Sequence, residues 1–98
     1  MKKRTPHCKL SVIKTLIEKE QVRSTMSALT AGAALGFDFH AIVEGTLALT
    51  PLDFYKSMTT HTDHRIWQDV YRPRTAAGEL YLKLTVIDDV LTVSFKEL

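Results

Sequence analysis

The chain has 98 residues, of which 45% are hydrophobic, 24% charged and 8% aromatic. These proportions fit one domain spanning 1–98 with a small core, and they exclude disorder as the main state. No stretch approaches the roughly 18 apolar residues of a membrane helix, and the opening Lys2-Lys3-Arg4, followed by Pro6 and His7, lacks the apolar segment of a signal peptide. A cytoplasmic protein without a membrane partner is expected. Cys8 is the single cysteine, so no internal disulfide forms and packing must hold the fold together.

The net charge of +2 is unevenly spread: residues 1–26 carry +5, residues 27–54 carry −3, and the remainder is neutral. A basic start points to an anionic partner such as nucleic acid, with solvated helix lysines as the plain alternative.

The first periodic segment runs from Lys9 to Gln21, where Leu10, Ile13, Leu16 and Ile17 recur at helical spacing. Val22 to Thr25 is compatible with a strand. Ser24 or Thr25 then caps an alanine-rich second helix ending at Gly36, a residue suited to the left-handed C-terminal position. Asp38 caps a third helix whose stripe is Phe39, Ile42, Val43 and Leu47. Thr50, Pro51 and Asp53 form a strong helix-start signal, and a short fourth helix carrying Phe54, Tyr55 and Lys56 is expected after it.

From Ile66 the period changes to two, giving three antiparallel strands: Ile66 to Arg72, Glu79 to Ile87 and Val90 to Lys96. Leu80, Leu82, Leu84 and Val86 lie on the core face of the middle strand, while Tyr81, Lys83 and Thr85 lie on the other. A two-residue loop at Asp88-Asp89 pairs Ile87 with Val90 and sets Tyr81 opposite Lys96. A four-residue loop, Thr75 to Gly78, pairs Arg74 with Glu79, Arg72 with Tyr81 and Gln68 with Thr85. Trp67 and Tyr71 then point into the core. So does Asp69, which must meet a cation, accept backbone bonds or mark a bulge.

This register collects Gln68, Arg72, Tyr81, Lys83 and Lys96 on one polar face. Two cations beside a phenol favour its phenolate and offer charge-assisted bonds to phosphate. A solvated face of ordinary cross-strand pairs is the plain reading of the same pattern. His61 and His64, three apart, read as solvated loop residues, because no cysteine or carboxylate cluster accompanies them. No phosphate-binding glycine loop, nucleophile elbow or zinc spacing is visible, so neither metal nor cofactor is expected.

The segments Lys3-Arg4-Thr5-Pro6-His7, Gln21-Val22-Arg23, Asp53 through Thr60, Ile66 through Pro73 and Val93-Ser94-Phe95-Lys96 resemble the motility quorum-sensing regulator (MqsR) family of bacterial toxins, over essentially the whole chain. The resemblance implies an α+β, RelE-like bacterial ribonuclease fold, a twisted antiparallel sheet flanked by helices. It also implies a type II toxin that cleaves mRNA near GCU or GCN sequences without the ribosome. Its expected partner is a cognate zinc-containing, DNA-binding antitoxin, and promoter DNA is met only through that complex. Lys56, Gln68, Tyr81 and Lys96 match the family's catalytic positions. Tyr55, Met58, Arg72 and Lys83 are expected to bind RNA, with a core or rim side chain as the plain reading of Met58. Relatives can carry histidine where this chain has Asp88, which leaves the proton donor unassigned.

The implied chemistry is attack of the RNA 2′-OH on the adjacent phosphate, with Tyr81 or a lysine as base and cations stabilising the phosphorane. The competing class is a non-catalytic RNA-binding or antitoxin-binding module. A DNA-binding regulator is disfavoured, because no recognition helix rich in Arg, Asn and Gln is visible.

Overall fold

The computed structural model describes residues 1–36, 38–75 and 78–97, with Thr75, Lys96 and Glu97 described by backbone alone. Helix α1 spans Leu10–Glu18, α2 Met26–Ala34 and α3 Phe39–Leu47; a short 3-10 turn covers Pro51–Asp53. The strands are β1 (Lys2–Lys3), β2 (Val22–Ser24), β3 (Phe54–Thr59), β4 (Trp67–Tyr71), β5 (Arg74–Thr75), β6 (Gly78–Ile87) and β7 (Val90–Glu97). The sheet order is β1-β3-β4-β6-β7-β2, with β5 paired to β6. All pairings are antiparallel except β2 with β7, which is parallel. The α+β class holds, and the sheet is mixed rather than purely antiparallel. Among the described residues no single helix is long and apolar enough to cross a membrane.

Local chemistry starts α2 and α3 where the sequence places them. Thr25 Oγ1 accepts from Ala28 N at 3.2 Å, and Asp38 Oδ1 accepts from Ala41 N at 2.8 Å. Each satisfies a backbone donor that the first helical turn leaves unpaired. Past the end of α2, Gly36 takes φ +83°, a conformation that a Cβ would disfavour. Phe39 departs from the expected stripe. It is 40% exposed while Ile42 is buried, because the face of α3 that meets the core is centred on Ile42 and Thr46.

The expected fourth helix does not form. Thr50 N donates to the Asp53 carboxylate at 2.9 Å, so the start signal operates locally, but the helical turn stops at Asp53. From Phe54 the chain is a strand between β1 and β4. From Lys56 to Thr59 the side chains alternate between the two faces; β4 pairs the strand on one side and β1 pairs Ser57 and Met58 on the other, satisfying backbone groups that a short helix would leave to other partners.

The β6–β7 hairpin follows the expected register throughout, from Ile87↔Val90 to Tyr81↔Lys96. Asp88 and Asp89 both have positive φ, 51° and 60°, as a two-residue turn matched to the strand twist requires. Arg74 pairs with Glu79 as expected, but Thr75 also pairs with Gly78, which shortens the loop to Ala76-Ala77, outside the described residues. Between β4 and β5, Pro73 has no N–H to donate, and its carbonyl alone keeps the contact with β6 by accepting from Leu80 N at 3.2 Å.

One face of the sheet packs against the helices through Leu82, Leu84, Leu91, Val93 and Phe95 over Ile13, Leu16 and Ile42. Asp69 lies on this face, 2% exposed. Its carboxylate accepts from Ser57 Oγ at 2.6 Å and from the backbone N–H groups of His7 and Cys8, each at 2.9 Å. The carboxylate thus fastens the N-terminal segment and β3 to β4. Trp67 shares that side but is only half-buried, at the end of the sheet, with the His7 ring stacked 5.4 Å away and Lys3 Nζ 4.3 Å from its centroid. Cys8 sits beside the same anchor; burial, reinforced by the Asp69 charge, raises its thiol pKa and keeps it from being a thiolate.

Tyr71 is fully buried, its ring edge-on to Phe54 at 5.4 Å, and its hydroxyl has no hydrogen-bond partner among the described residues. Burial, helped by the Asp69 charge, pushes its phenol pKa up to about 12. The folded state therefore holds the neutral phenol. Stability from this group is complete below the unfolded value of about 10 and is lost as pH rises through the folded value.

Two expectations follow. Asp69→Ala orphans three donors and is expected to cost about 3 kcal/mol or more, lowering Tm by about 4–8 °C per kcal/mol; a thermal melt within a degree of wild type would refute the anchor. Tyr71→Phe removes the unpartnered hydroxyl and is expected to raise Tm and extend folding to higher pH. An alkaline melt showing earlier unfolding of the variant would contradict this reading.

Candidate active site

The face of the sheet opposite the helices carries the site. Register places Lys56 beside Val70 and Val70 beside Lys83, and it places Met58 beside Gln68. A bulge between Phe54 and Lys56 makes Tyr55 the extra residue of β3. Such a bulge re-aims a side chain, and the Tyr55 ring lies 5.9 Å from that of Tyr81, tilted by 47°.

Arg72 lies at the centre of the aromatic pair. Its guanidinium carbon is 5.0 Å from the Tyr55 centroid and 5.5 Å from that of Tyr81, and Lys56 Nζ is 5.2 Å from Tyr55. These separations are within cation–π range. Glu79 reaches Arg72 at 3.4 Å and Arg74 at 3.7 Å, so one carboxylate holds two guanidinium groups on the rim. Both Arg72 and Glu79 remain well exposed, and their pairing contributes orientation more than stability.

Lys56, Met58, Val70, Tyr81 and Lys83 line a concavity of about 160 Å³. Val70, only 1% exposed, forms its floor beneath the longer side chains. This volume is below the roughly 300–1,000 Å³ of a site that encloses a small ligand; an open, basic hollow instead suits one phosphodiester of a longer chain. Gln68 Nε2 donates to Thr85 Oγ1 at 3.4 Å, which ties its amide to β6 in the next row.

The structure therefore brings together seven of the eight residues that the sequence nominates: Lys56, Gln68, Tyr81, Tyr55, Met58, Arg72 and Lys83. For Lys96 the backbone pairing opposite Tyr81 is in place, and its side chain lies outside the described residues. Met58 lines the hollow rather than the core. His61 and His64 are exposed in the loop between β3 and β4, away from the cluster. Among the described residues no group of three His, Cys, Asp or Glu side chains is arranged to hold a metal ion.

Two basic residues reach this face without having been singled out. β1 pairs Lys2 with Met58, and β2 pairs Arg23 with Thr92, whose hydroxyl accepts from Arg23 Nε at 3.1 Å. Arg23 lies in the stretch the sequence marks as strand-compatible, so alternation could have assigned its face. Lys2 belongs to a two-residue strand with no periodic signal at all.

The chain matches the family described as motility quorum-sensing regulator, toxin of MqsA, over residues 5–97. The mRNA interferase toxin MqsR of Escherichia coli (strain K12) is 58% identical over 97 residues, covering 99% of this chain and 99% of the relative. Matching of that length and identity leaves one assignment: the chain belongs to the motility quorum-sensing regulator family of toxins.

Proposed function

We propose that residues 1–98 form a single toxin domain of a type II toxin–antitoxin pair, an endoribonuclease with a RelE-like fold that cleaves single-stranded mRNA near GCU or GCN sequences. The observation that carries this reading is the cluster of Tyr81, Arg72, Lys56 and Tyr55 on the sheet face that no helix covers. A relative at 58% identity bears the name mRNA interferase toxin. The partner is a cognate antitoxin, zinc-containing and DNA-binding, and promoter DNA is reached only through the complex.

The chemistry follows from the substrate. RNA supplies its own nucleophile: the 2′-oxygen attacks the neighbouring phosphorus, the bond to the 5′-oxygen breaks, and a 2′,3′-cyclic phosphate and a 5′-OH result. The proton leaving the 2′-OH is taken by Tyr81 or an adjacent lysine, and one must reach the departing 5′-oxygen. Lys56, Arg72 and Lys96 stabilise the charge gathering on the phosphorane, where fixed cations act on the transition state more than on the ground state. Gln68, held by Thr85, orients the phosphate or a base edge. Tyr55 offers a ring on which a flanking base can stack, and Lys83 and Met58 complete the wall of the hollow.

Lys56→Ala is expected to lower the cleavage rate by about 10²–10³-fold, the usual loss of one charge-stabilising contact. Tyr81→Phe, which keeps the ring but cannot transfer a proton, is expected to fall at least as far while still binding RNA. The measurement is cleavage of a short RNA containing several GCN triplets by antitoxin-free protein in excess EDTA, with end-group analysis. Cyclic phosphate ends that vanish in Tyr81→Phe support the mechanism. Wild-type rates in Tyr81→Phe would remove Tyr81 from it, and binding without turnover by the wild type would favour a non-catalytic module.

A further inference from the structure

The cleavage cluster occupies only the middle of the sheet face, yet one row of register-paired residues crosses the whole sheet. In order it reads Lys2, Met58, Gln68, Thr85, Thr92 and Arg23. Both ends are cations on short edge strands, and every residue between them is uncharged. The neighbouring row is Lys56, Val70, Lys83 and Ser94. Neither row contains a carboxylate. At the usual inter-strand spacing the long row spans about 24 Å, a length that suits a bound single strand and not an isolated phosphate.

We propose that Lys2 and Arg23 are the two ends of an RNA-binding track, contacting backbone phosphates on either side of the nucleotide held in the Lys56–Tyr81 hollow. This rests on the ribonuclease reading above and extends it from the scissile phosphate to the flanking substrate. Three observations carry it. First, both residues face the same side of the sheet as Gln68, by register. Second, Arg23 is held along the row by its 3.1 Å bond to Thr92 Oγ1, which leaves guanidinium donors for an incoming acceptor. Third, the long row is uncharged between its ends, and Tyr55 and Tyr81 stand one side of it, so bases can stack while the backbone follows the cations. A polyanionic single strand is the occupant these features fit. A compact anion could not engage both ends at once.

The test uses full-length protein and a 2′-O-methyl RNA long enough to cross the sheet, which binds but lacks the nucleophile. Affinity is measured across a salt series for wild type, Lys2→Gln, Arg23→Gln, Arg23→Lys, the double Gln variant and Lys19→Gln. Lys19 is the exposed residue that ends α1, the helix whose Ile13, Leu16 and Ile17 pack against the opposite, core face of the sheet. For single strands the slope of log affinity on log salt is about −0.7 per phosphate contact. Each Gln substitution is therefore expected to flatten the slope by about 0.7 and weaken binding about fivefold at 0.1 M salt. The double variant is expected to lose both increments, Arg23→Lys to retain its contact, and Lys19→Gln to match wild type. Slopes for Lys2→Gln and Arg23→Gln equal to wild type would overturn the track, as would an equal loss in Lys19→Gln, which would signify net charge alone. Cleavage by wild type that is abolished in Tyr81→Phe, alongside unchanged slopes, would reject the track and keep the ribonuclease; a wild type that binds no RNA would reject both.

Discussion

The buried carboxylate of Asp69 is the constraint on which the rest of the site depends. An isolated carboxylate in a small apolar core would be prohibitively costly, so its oxygens must be saturated, and Ser57 together with the backbone of His7 and Cys8 saturates them. Because Ser57 and Asp69 are directly opposite in the β3–β4 pairing, the same bonds fix that register. A slip of one residue would turn Lys56 and Met58 into the core and leave the carboxylate without its hydroxyl. The functional face is thus specified from behind, by a polar contact on the opposite side of the same two strands.

The N-terminal segment is part of this arrangement. Its amides cap Asp69, Lys3 and His7 cover Trp67, and Lys2 and Lys3 extend the sheet beyond β3. Without that segment β3 would be an exposed edge with unpaired backbone groups. The basic charge concentrated in the first quarter of the sequence is therefore divided by tertiary structure. Lys2 and Arg23 join the open face, and Lys3 serves as a lid on an indole.

On the open face, geometry keeps cations close without cancelling them. Arg72 lies against two aromatic rings and one carboxylate, which fixes its guanidinium while leaving the hollow lined by Lys56 and Lys83. Pro73 follows immediately and leaves only its carbonyl bonded to β6, and beyond it Arg74 and Glu79 pair on the rim, clear of the hollow. The bulge at Tyr55 completes the design by bringing a ring from β3 against one from β6.

Much of this was legible in the chain. Alternation in 80–96 and a two-residue turn at Asp88-Asp89 determine the β6–β7 register, since side chains of period two have only one arrangement that buries every leucine. The same logic set Arg72 and Gln68 beside Tyr81 and Thr85, and the caps at Thr25 and Asp38 declared their helices through local hydrogen bonds. What the sequence could not determine is where non-local partners were needed. Thr50-Pro51-Asp53 signalled a helix correctly for one turn, but the fate of Phe54 to Thr59 depended on β4, which lies beyond an intervening loop, and on a two-residue strand at the N-terminus. Asp69 was recognisable as a problem but not its solution, because a buried carboxylate states only that donors must come. Their identity, and with it the bulge, the mixed sheet order and the cations at both ends of the open face, was decided by which backbone segments tertiary packing brought within hydrogen-bonding reach.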